Sequence, residues 1–458
     1  MHGVILTQGP QNFQIIPRQK PELTLRGTLR GDYSASKNTV QARIVNEDTG
    51  VTVVDWTDAA IDGGGWTLTL GPIPIGGPYR LETQVVCTDT NGGWFTHRGD
   101  MIHHLGVGDL FLVTGQSNAT GYGQEPVFDP PELGIAVFRE NGRWDLASHP
   151  LSDGTGSFHS ANLEDINPRH SPWLSFARIV RHQTKTPVGL IPVSLGGTNI
   201  DRWDTDVDGD CYKVMVEVHQ KIGGPYTAML WYQGCSDAVP GRADRYYDAF
   251  QKFVADSRRD LDDAALPVYT VQLNRDVYPF DENEGWDRAW ATVREAQRRA
   301  ARELDGVYVI PAHDLTLGDN IHNTSAANMT IGQRAAHCVL QHTFGYPVPG
   351  TAPDIETAKL TAEKQVTLTF SGVYGFLTAR AAPPECCAMT VRDELGVVPL
   401  TAVAAWGGAV QLTLGRELAG KATVSAADSY NYNGVPPTDA LSGMPLLAFF
   451  EFPVEFIS

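Results

Sequence analysis

Apolar and polar positions alternate along the first hundred residues: Val40, Ala42 and Ile44, then Trp66, Leu68 and Leu70, then Leu81, Thr83 and Val85 each share one face. Period two belongs to a half-buried strand, whose successive side chains point to opposite sides. Glycines at Gly63-Gly64-Gly65, Gly76-Gly77 and Gly92-Gly93 punctuate the alternation, so residues 1–104 are expected to form a small antiparallel β-sandwich module. From residue 105 the pattern changes. Continuous apolar runs at 110–114, 188–193, 228–232, 267–273 and 307–310 are separated by stretches of helical period. Trp173, Phe176, Ala177 and Val180 share one helical face behind a Ser171-Pro172 start, with Ser171 as the expected cap. Tyr246, Phe250, Phe253, Ser257 and Leu261 make a second stripe, and Trp286, Trp290, Val293, Gln297 and Ala300 a third. Strands apolar on both faces, alternating with amphipathic helices, predict a five-stranded parallel sheet covered on both sides, an α/β domain over 105–346. Alternation returns beyond Pro347, Pro349 and Pro353, at Val366/Leu368/Phe370, Val410/Leu412/Leu414 and Ala422/Val424. Residues 347–458 are expected to be a second β module.

Composition narrows the function. The chain has 458 residues, 42% of them hydrophobic and 19% charged, which suits two or three globular domains and no disorder. A formal net charge of -18 disfavours nucleic acid and anionic membrane as partners. No apolar run has the length of a membrane span, and the first nine residues lack a basic segment followed by a long apolar one. The expectation is a cytoplasmic protein, or a secreted or periplasmic one whose leader has been trimmed. Six irregularly spaced cysteines do not make a disulfide framework, and no CxxC or HExxH pattern occurs, so neither metal nor cofactor is expected. The pair Cys386-Cys387 reads as structural, with one thiol buried and one exposed on opposite faces of a strand.

Candidate chemistry lies where the apolar runs end. Gly115-Gln116-Ser117-Asn118 follows the run 110–114 without a gap, and a glycine turn there lifts the Ser117 hydroxyl above the strand's carboxyl end. The alternative is an ordinary polar turn. Two further runs end in the same way, at Gly196-Gly197-Thr198-Asn199 and Gln233-Gly234-Cys235-Ser236-Asp237, and the run 307–310 leads through a short loop to Asp319-Asn320-Ile321-His322. A parallel sheet delivers all such loops to one edge, so the four segments should share a crevice. A serine nucleophile needs a base, for which His322 is the candidate, and Asp319 three residues earlier can fix its tautomer. The alternative is that Asp319-Asn320 caps the following helix. Ester attack also creates an oxyanion, for which the Ser117 and Gly197 amides and the Gln233 side chain are candidate donors. For Gly197 and Gln233 the alternatives are a tight turn and a polar strand end.

Together these blocks resemble, in order and spacing, those of the SGNH hydrolase superfamily, and more narrowly sialate O-acetylesterase and related carbohydrate acetylesterases. The segments 171–178, 187–191 and 443–449 resemble the same family, so the likeness covers most of the chain. The resemblance implies a flavodoxin-like catalytic domain with β modules around it. It assigns Ser117 as nucleophile, His322 as base, Asp319 as orienting acid, and Ser117, Gly197 and Gln233 as the oxyanion hole. It further implies a serine esterase that removes acetyl groups from sialic acids through an acyl-enzyme, with acetylated plant polysaccharide such as acetylxylan as second choice. Asn118 and Arg202 are candidate substrate contacts, Arg202 for a sialate carboxylate or else in a surface ion pair. Cys235 departs from the pattern, because similar proteins usually carry glutamate there. A neutral thiol cannot replace that charge, which leaves the work to Asp319, or to Asp237 by a rearranged path. The competing reading is a weak or silent glycan-binding protein that uses its β modules.

Overall fold

The computed structural model describes residues 3–456 except 32, 35–36, 63–64, 160, 162–168, 281–283 and 380–382. The Gly63-Gly64 part of one expected turn therefore lies outside the described residues. The architecture is mixed α/β. Its central sheet is built from β1 (Trp94–Gly115), β2 (Ile135–Phe138), β3 (Trp144–Leu146), β4 (Val188–Ser194), β5 (Ala228–Tyr232), β6 (Val268–Gln272) and β7 (Val307–Pro311), in spatial order β3-β2-β4-β1-β5-β6-β7. Six of these strands run parallel and β3 is antiparallel to β2. The expected count of five is thus one short. The missed strand, Ile135–Phe138, is only four residues long and has no helical stripe before it to announce a βα unit.

Parallel strands between helices are buried on both faces, and the five residues of β5 and of β6 are all buried. The helices are α1 (Ser117–Thr120), α2 (Trp173–Thr184), α3 (Asp210–Ile222), α4 (Tyr246–Asp260), α5 (Glu284–Glu303) and α6 (Ser325–His342). The stripes on α2 and α4 are buried in one core with the strands, as are Trp290, Val293 and Ala300 of α5. Helix α2 starts one residue later than expected, after Pro172, and Ser171 supplies no side-chain cap.

Strand β1 runs unbroken through residues 104 and 105. Its first part pairs antiparallel with Gly76–Thr88, and its last part lies parallel to β4 and β5. The change from alternation to continuous apolarity marks the point where a strand covered on one side becomes one covered on both. The alternating residues before it, Val40, Ala42, Ile44, Leu68, Leu81 and Val85 among them, form a core of their own. Those after residue 353 form another, containing Val366, Leu368, Val410 and Leu412. The C-terminal segment is tied back to the centre: the Gln272 side chain at the end of β6 donates to the Ala448 carbonyl and accepts from the Ala448 amide, both at 2.9 Å. Cys386 ends a short 3-10 turn rather than lying in a strand, so the face argument does not apply to it. Cys387 is buried and Cys386 half-buried, and all six cysteines are free.

Candidate active site

The ends of β1, β4 and β5 are level, since Gly115 pairs with Ser194 on one side and Tyr232 on the other. The chain leaves β1 toward β2 and leaves β5 toward β6, so the crevice between β1 and β5 is the point where the winding of the sheet reverses. Gly115 is required there. Its φ is +130°, and a Cβ would come within 2.2 Å of the Tyr232 carbonyl. The turn releases the chain into α1, whose first residue is Ser117, so the Ser117 amide has no partner within the helix.

Ser117 Oγ lies 2.9 Å from His322 Nε2, and His322 Nδ1 lies 2.7 Å from Asp319 Oδ2. Asp319 Oδ1 accepts the amides of Ile321 at 2.9 Å and His322 at 2.7 Å. Burial opposes the charge on Asp319, but these bonds together with the imidazole hold its carboxyl below the ordinary range. The ring of His322 is also stacked on Tyr122, with centroids 4.6 Å apart and planes 16° from parallel. An ionised acid, an imidazole of fixed tautomer and a hydroxyl in one line can pass a proton from the serine to the histidine as the oxygen attacks.

The loop that carries His322 is clamped through Ile321 and Asn323, which flank the histidine. The Ile321 carbonyl accepts from Asn118 Nδ2 at 3.2 Å and Asn274 Nδ2 at 2.7 Å. Asn323 donates its amide to Asn118 Oδ1 and its side-chain nitrogen to the Tyr232 hydroxyl. Gln116 ties the serine turn to the loop after β5 by accepting from the Gly234 amide at 3.0 Å. Tyr122, Asn274, Asn323 and Gln116 were not singled out from sequence. Their common signal is a polar side chain at a strand end or beside a named residue.

A family profile described as a carbohydrate esterase, sialic acid-specific acetylesterase, matches residues 107–341, more than half of the chain. The chain belongs to the sialic acid-specific acetylesterase family of carbohydrate esterases. Its enzyme class is accordingly ester hydrolase. It is 28% identical over 256 residues to a probable carbohydrate esterase of Arabidopsis thaliana, covering 51% of this chain and 90% of that protein. It is 23% identical over 345 residues to the human sialate O-acetylesterase, covering 62% of this chain and 63% of that protein. The crystal structure of a carbohydrate acetylesterase from Xanthomonas citri shares the fold, with a TM-score of 0.70 and 20% identity over 97% of this chain and 99% of that one.

Within this acetylesterase fold, several residues expected to face substrate are engaged elsewhere. Gln233 is wholly buried, and both hydrogens of its amide are spent, on the Thr198 carbonyl at 3.0 Å and Asp237 Oδ2 at 2.6 Å. It is therefore not free to serve as an oxyanion donor in this arrangement. It holds instead the turn that contains Gly197, which is exposed, has φ +70°, and has open space around the Cβ position. Asn118 is 2% exposed and uses both ends of its amide on the histidine loop, so it is a clamp rather than a substrate contact. Arg202 forms a two-pronged pair with Asp210, the surface ion pair offered as its alternative. Asp237 accepts from Gln233 and from the Ile200 amide at 2.9 Å, which removes it as a rearranged partner for His322.

Cys235 is buried, and burial followed by the charge of Asp276 pushes its thiol up to about 12, so it is neutral. Its Sγ lies 3.8 Å from Asn274 Oδ1. Among the described residues, the one group spaced to hold a cation is Asp129, His149 and His170. These groups bond one another: Asp129 Oδ2 accepts from His149 Nε2 at 2.9 Å and His170 Nε2 at 3.2 Å, and Arg178 already supplies a cation to Oδ1. No helix among the described residues is long and apolar enough to cross a membrane.

Proposed function

We propose that this chain removes O-acetyl groups from sialic acids through an acyl-enzyme on Ser117, with acetylated plant polysaccharide as the second substrate class. The observation that carries this reading is the unbroken line from Asp319 through His322 to Ser117, at 2.7 and 2.9 Å. His322 Nε2 takes the hydroxyl proton as Ser117 Oγ adds to the acetyl carbonyl. The Ser117 and Gly197 amides stabilise the oxyanion, and Gln233 fixes the Gly197 turn from behind. Collapse of the adduct expels the sugar oxygen, which receives the proton from His322. Water, deprotonated by the same histidine, then releases acetate and restores the serine. The domain that does this is the flavodoxin-like SGNH unit of 105–346, between sandwich modules at 1–104 and 347–458.

The reading is tested on the full chain with an aryl acetate and with O-acetylated sialic acid beside acetylxylan. The Ser117→Ala protein should keep its circular dichroism spectrum and lose hydrolysis of all three. A serine-directed phosphonate should label Ser117 and no other serine, and His322→Ala should abolish that label. Retained turnover in Ser117→Ala would sink the mechanism. Faster acetate release from acetylxylan than from sialate would exchange the two substrate classes.

A further inference from the structure

A second polar cleft, of about 520 Å³, lies where the central domain meets the C-terminal module, lined by Arg275, Asp314, Thr378, Tyr432, Val435 and Thr438 among others. Its lining carries one cation, Arg275, and one carboxylate, Asp314. That carboxylate is already neutralised by a two-pronged pair with Arg334 at 2.7 and 2.8 Å. Arg294 is wholly buried and spends its donors on the backbone carbonyls of Leu273, Asn274, Ala427 and Ser429.

Arg275 is different. It donates once, from Nη2 to the Leu315 carbonyl at 3.2 Å, and its guanidinium lies 5.8 Å from the centre of the Tyr432 ring. Its Nε is buried with no partner, and among the described residues no carboxylate lies within ion-pairing distance of it. A buried donor left unmade is destabilising, so a cation held in this way at the wall of a cleft is suited to an anion that completes it. The hydroxyls in the cleft are committed in the opposite sense. Thr378 Oγ1 donates to the Thr438 carbonyl and Thr438 Oγ1 to the Pro436 carbonyl, which leaves oxygen lone pairs to accept from a ligand's hydroxyl groups.

We infer that this cleft binds a carboxylate-bearing sugar, with the carboxylate on Arg275 and sugar hydroxyls on Thr378 and Thr438. The choice of a sugar as the carrier rests on the substrate class proposed above. The strand end that presents Arg275 also presents Asn274, which holds the loop of His322, so the cleft adjoins the scaffold of the candidate active site.

The test measures binding of free N-acetylneuraminate, which has no ester to cleave, to the full-length Ser117→Ala protein by calorimetry. Galacturonate, neutral N-acetylmannosamine and inorganic phosphate are run beside it. Binding of an acidic sugar should weaken at least tenfold in Arg275→Gln. It should weaken equally in Val435→Glu, which adds a negative charge at an exposed wall position and leaves the contacts of Arg275 in place; melting curves check both folds. Binding of galacturonate but not N-acetylneuraminate would keep the cleft as an acidic-sugar site, and the sialate reading of the Ser117 site is decided separately by acetate release. The inference is overturned if N-acetylmannosamine or phosphate binds as tightly as either acid, if no acid binds, or if a well-folded Val435→Glu protein keeps full affinity.

Discussion

Asp319 and Asp237 follow two strands of one sheet, each close to a proposed catalytic group, and the fold treats them in opposite ways. The side chain of Asp319 is 39% exposed and accepts three hydrogen bonds, and its carboxyl is held below the ordinary range. Asp237 is 1% exposed and accepts two, and burial drives its carboxyl up to about 6 despite them. Both lie within reach of amide donors, so hydrogen bonding alone does not separate them. Loss of water does. An acid that must stay charged beside a histidine keeps partial access to solvent, whereas a fully buried acid serves as a clamp on backbone.

The sharpest way to break this comparison is Asp319→Asn. The amide can keep the Ile321 and His322 amides satisfied, yet it removes the charge and can hold the wrong tautomer of His322. We expect kcat/KM on an aryl acetate to fall by about a thousandfold or more, with little change in melting temperature. A loss under tenfold would mean that another group orients the histidine.

Gln233→Ala tests the buried side. If Gln233 positions the Gly197 turn, its removal strips a donor from Asp237 and from the Thr198 carbonyl. Stability should then fall by about 1–3 kcal/mol, together with a ten- to hundredfold loss of turnover. A drop in turnover with an unchanged melting temperature would restore Gln233 as a direct oxyanion donor.

The third prediction separates the two acids by pH. A carboxyl raised from 3.8 to about 6 binds its proton more tightly in the folded state, so its contribution runs opposite to that of a salt-bridged acid. Stability is greatest below the unfolded value and is lost as pH rises through about 6, by an amount on the order of 3 kcal/mol. Asp319, being depressed, contributes above its unfolded value and loses that contribution as pH falls through its folded one. Urea unfolding between pH 4 and 7 should therefore show a declining component that Asp237→Asn removes and Asp319→Asn leaves. An unchanged slope in Asp237→Asn would refute the burial argument.

The line from Ser117 to His322 was legible because each residue follows an apolar run, and a parallel sheet sends all such loops to one edge. The strand Ile135–Phe138 was not legible, since four apolar residues without a flanking helical stripe give no period to read. Nor were the partners of Gln233 and Asn118. Residue type shows that an amide can donate, but whether its hydrogens meet substrate, Asp237 or Ile321 depends on loops brought together from up to about two hundred residues away. The Arg275 cleft escaped for the same reason, because Thr378, Tyr432 and Thr438 reach it from the other end of the chain.

Cys235 should give the smallest effect and the most specific one. Its thiol is neutral and buried near Asn274 and Asp276, and burial raises the Asp276 carboxyl as well. Cys235→Ala therefore removes no charge from the surroundings of His322, and kcat/KM should stay within about twofold, at a packing cost of about 1 kcal/mol. Cys235→Glu restores the residue type that the resemblance expects but places a second carboxyl beside Asp276 in a site of low polarity. Like charges so placed cannot both ionise without cost, so the variant should melt lower and gain no activity. Both variants should be measured on one acetylated substrate, with and without Asp319→Asn. If Cys235→Glu gains severalfold and rescues the Asp319→Asn background, the second acid governs this scaffold and the natural chain is an impaired enzyme. If it gains nothing in either background, Asp319 carries the histidine alone, and the partly solvated acid is sufficient.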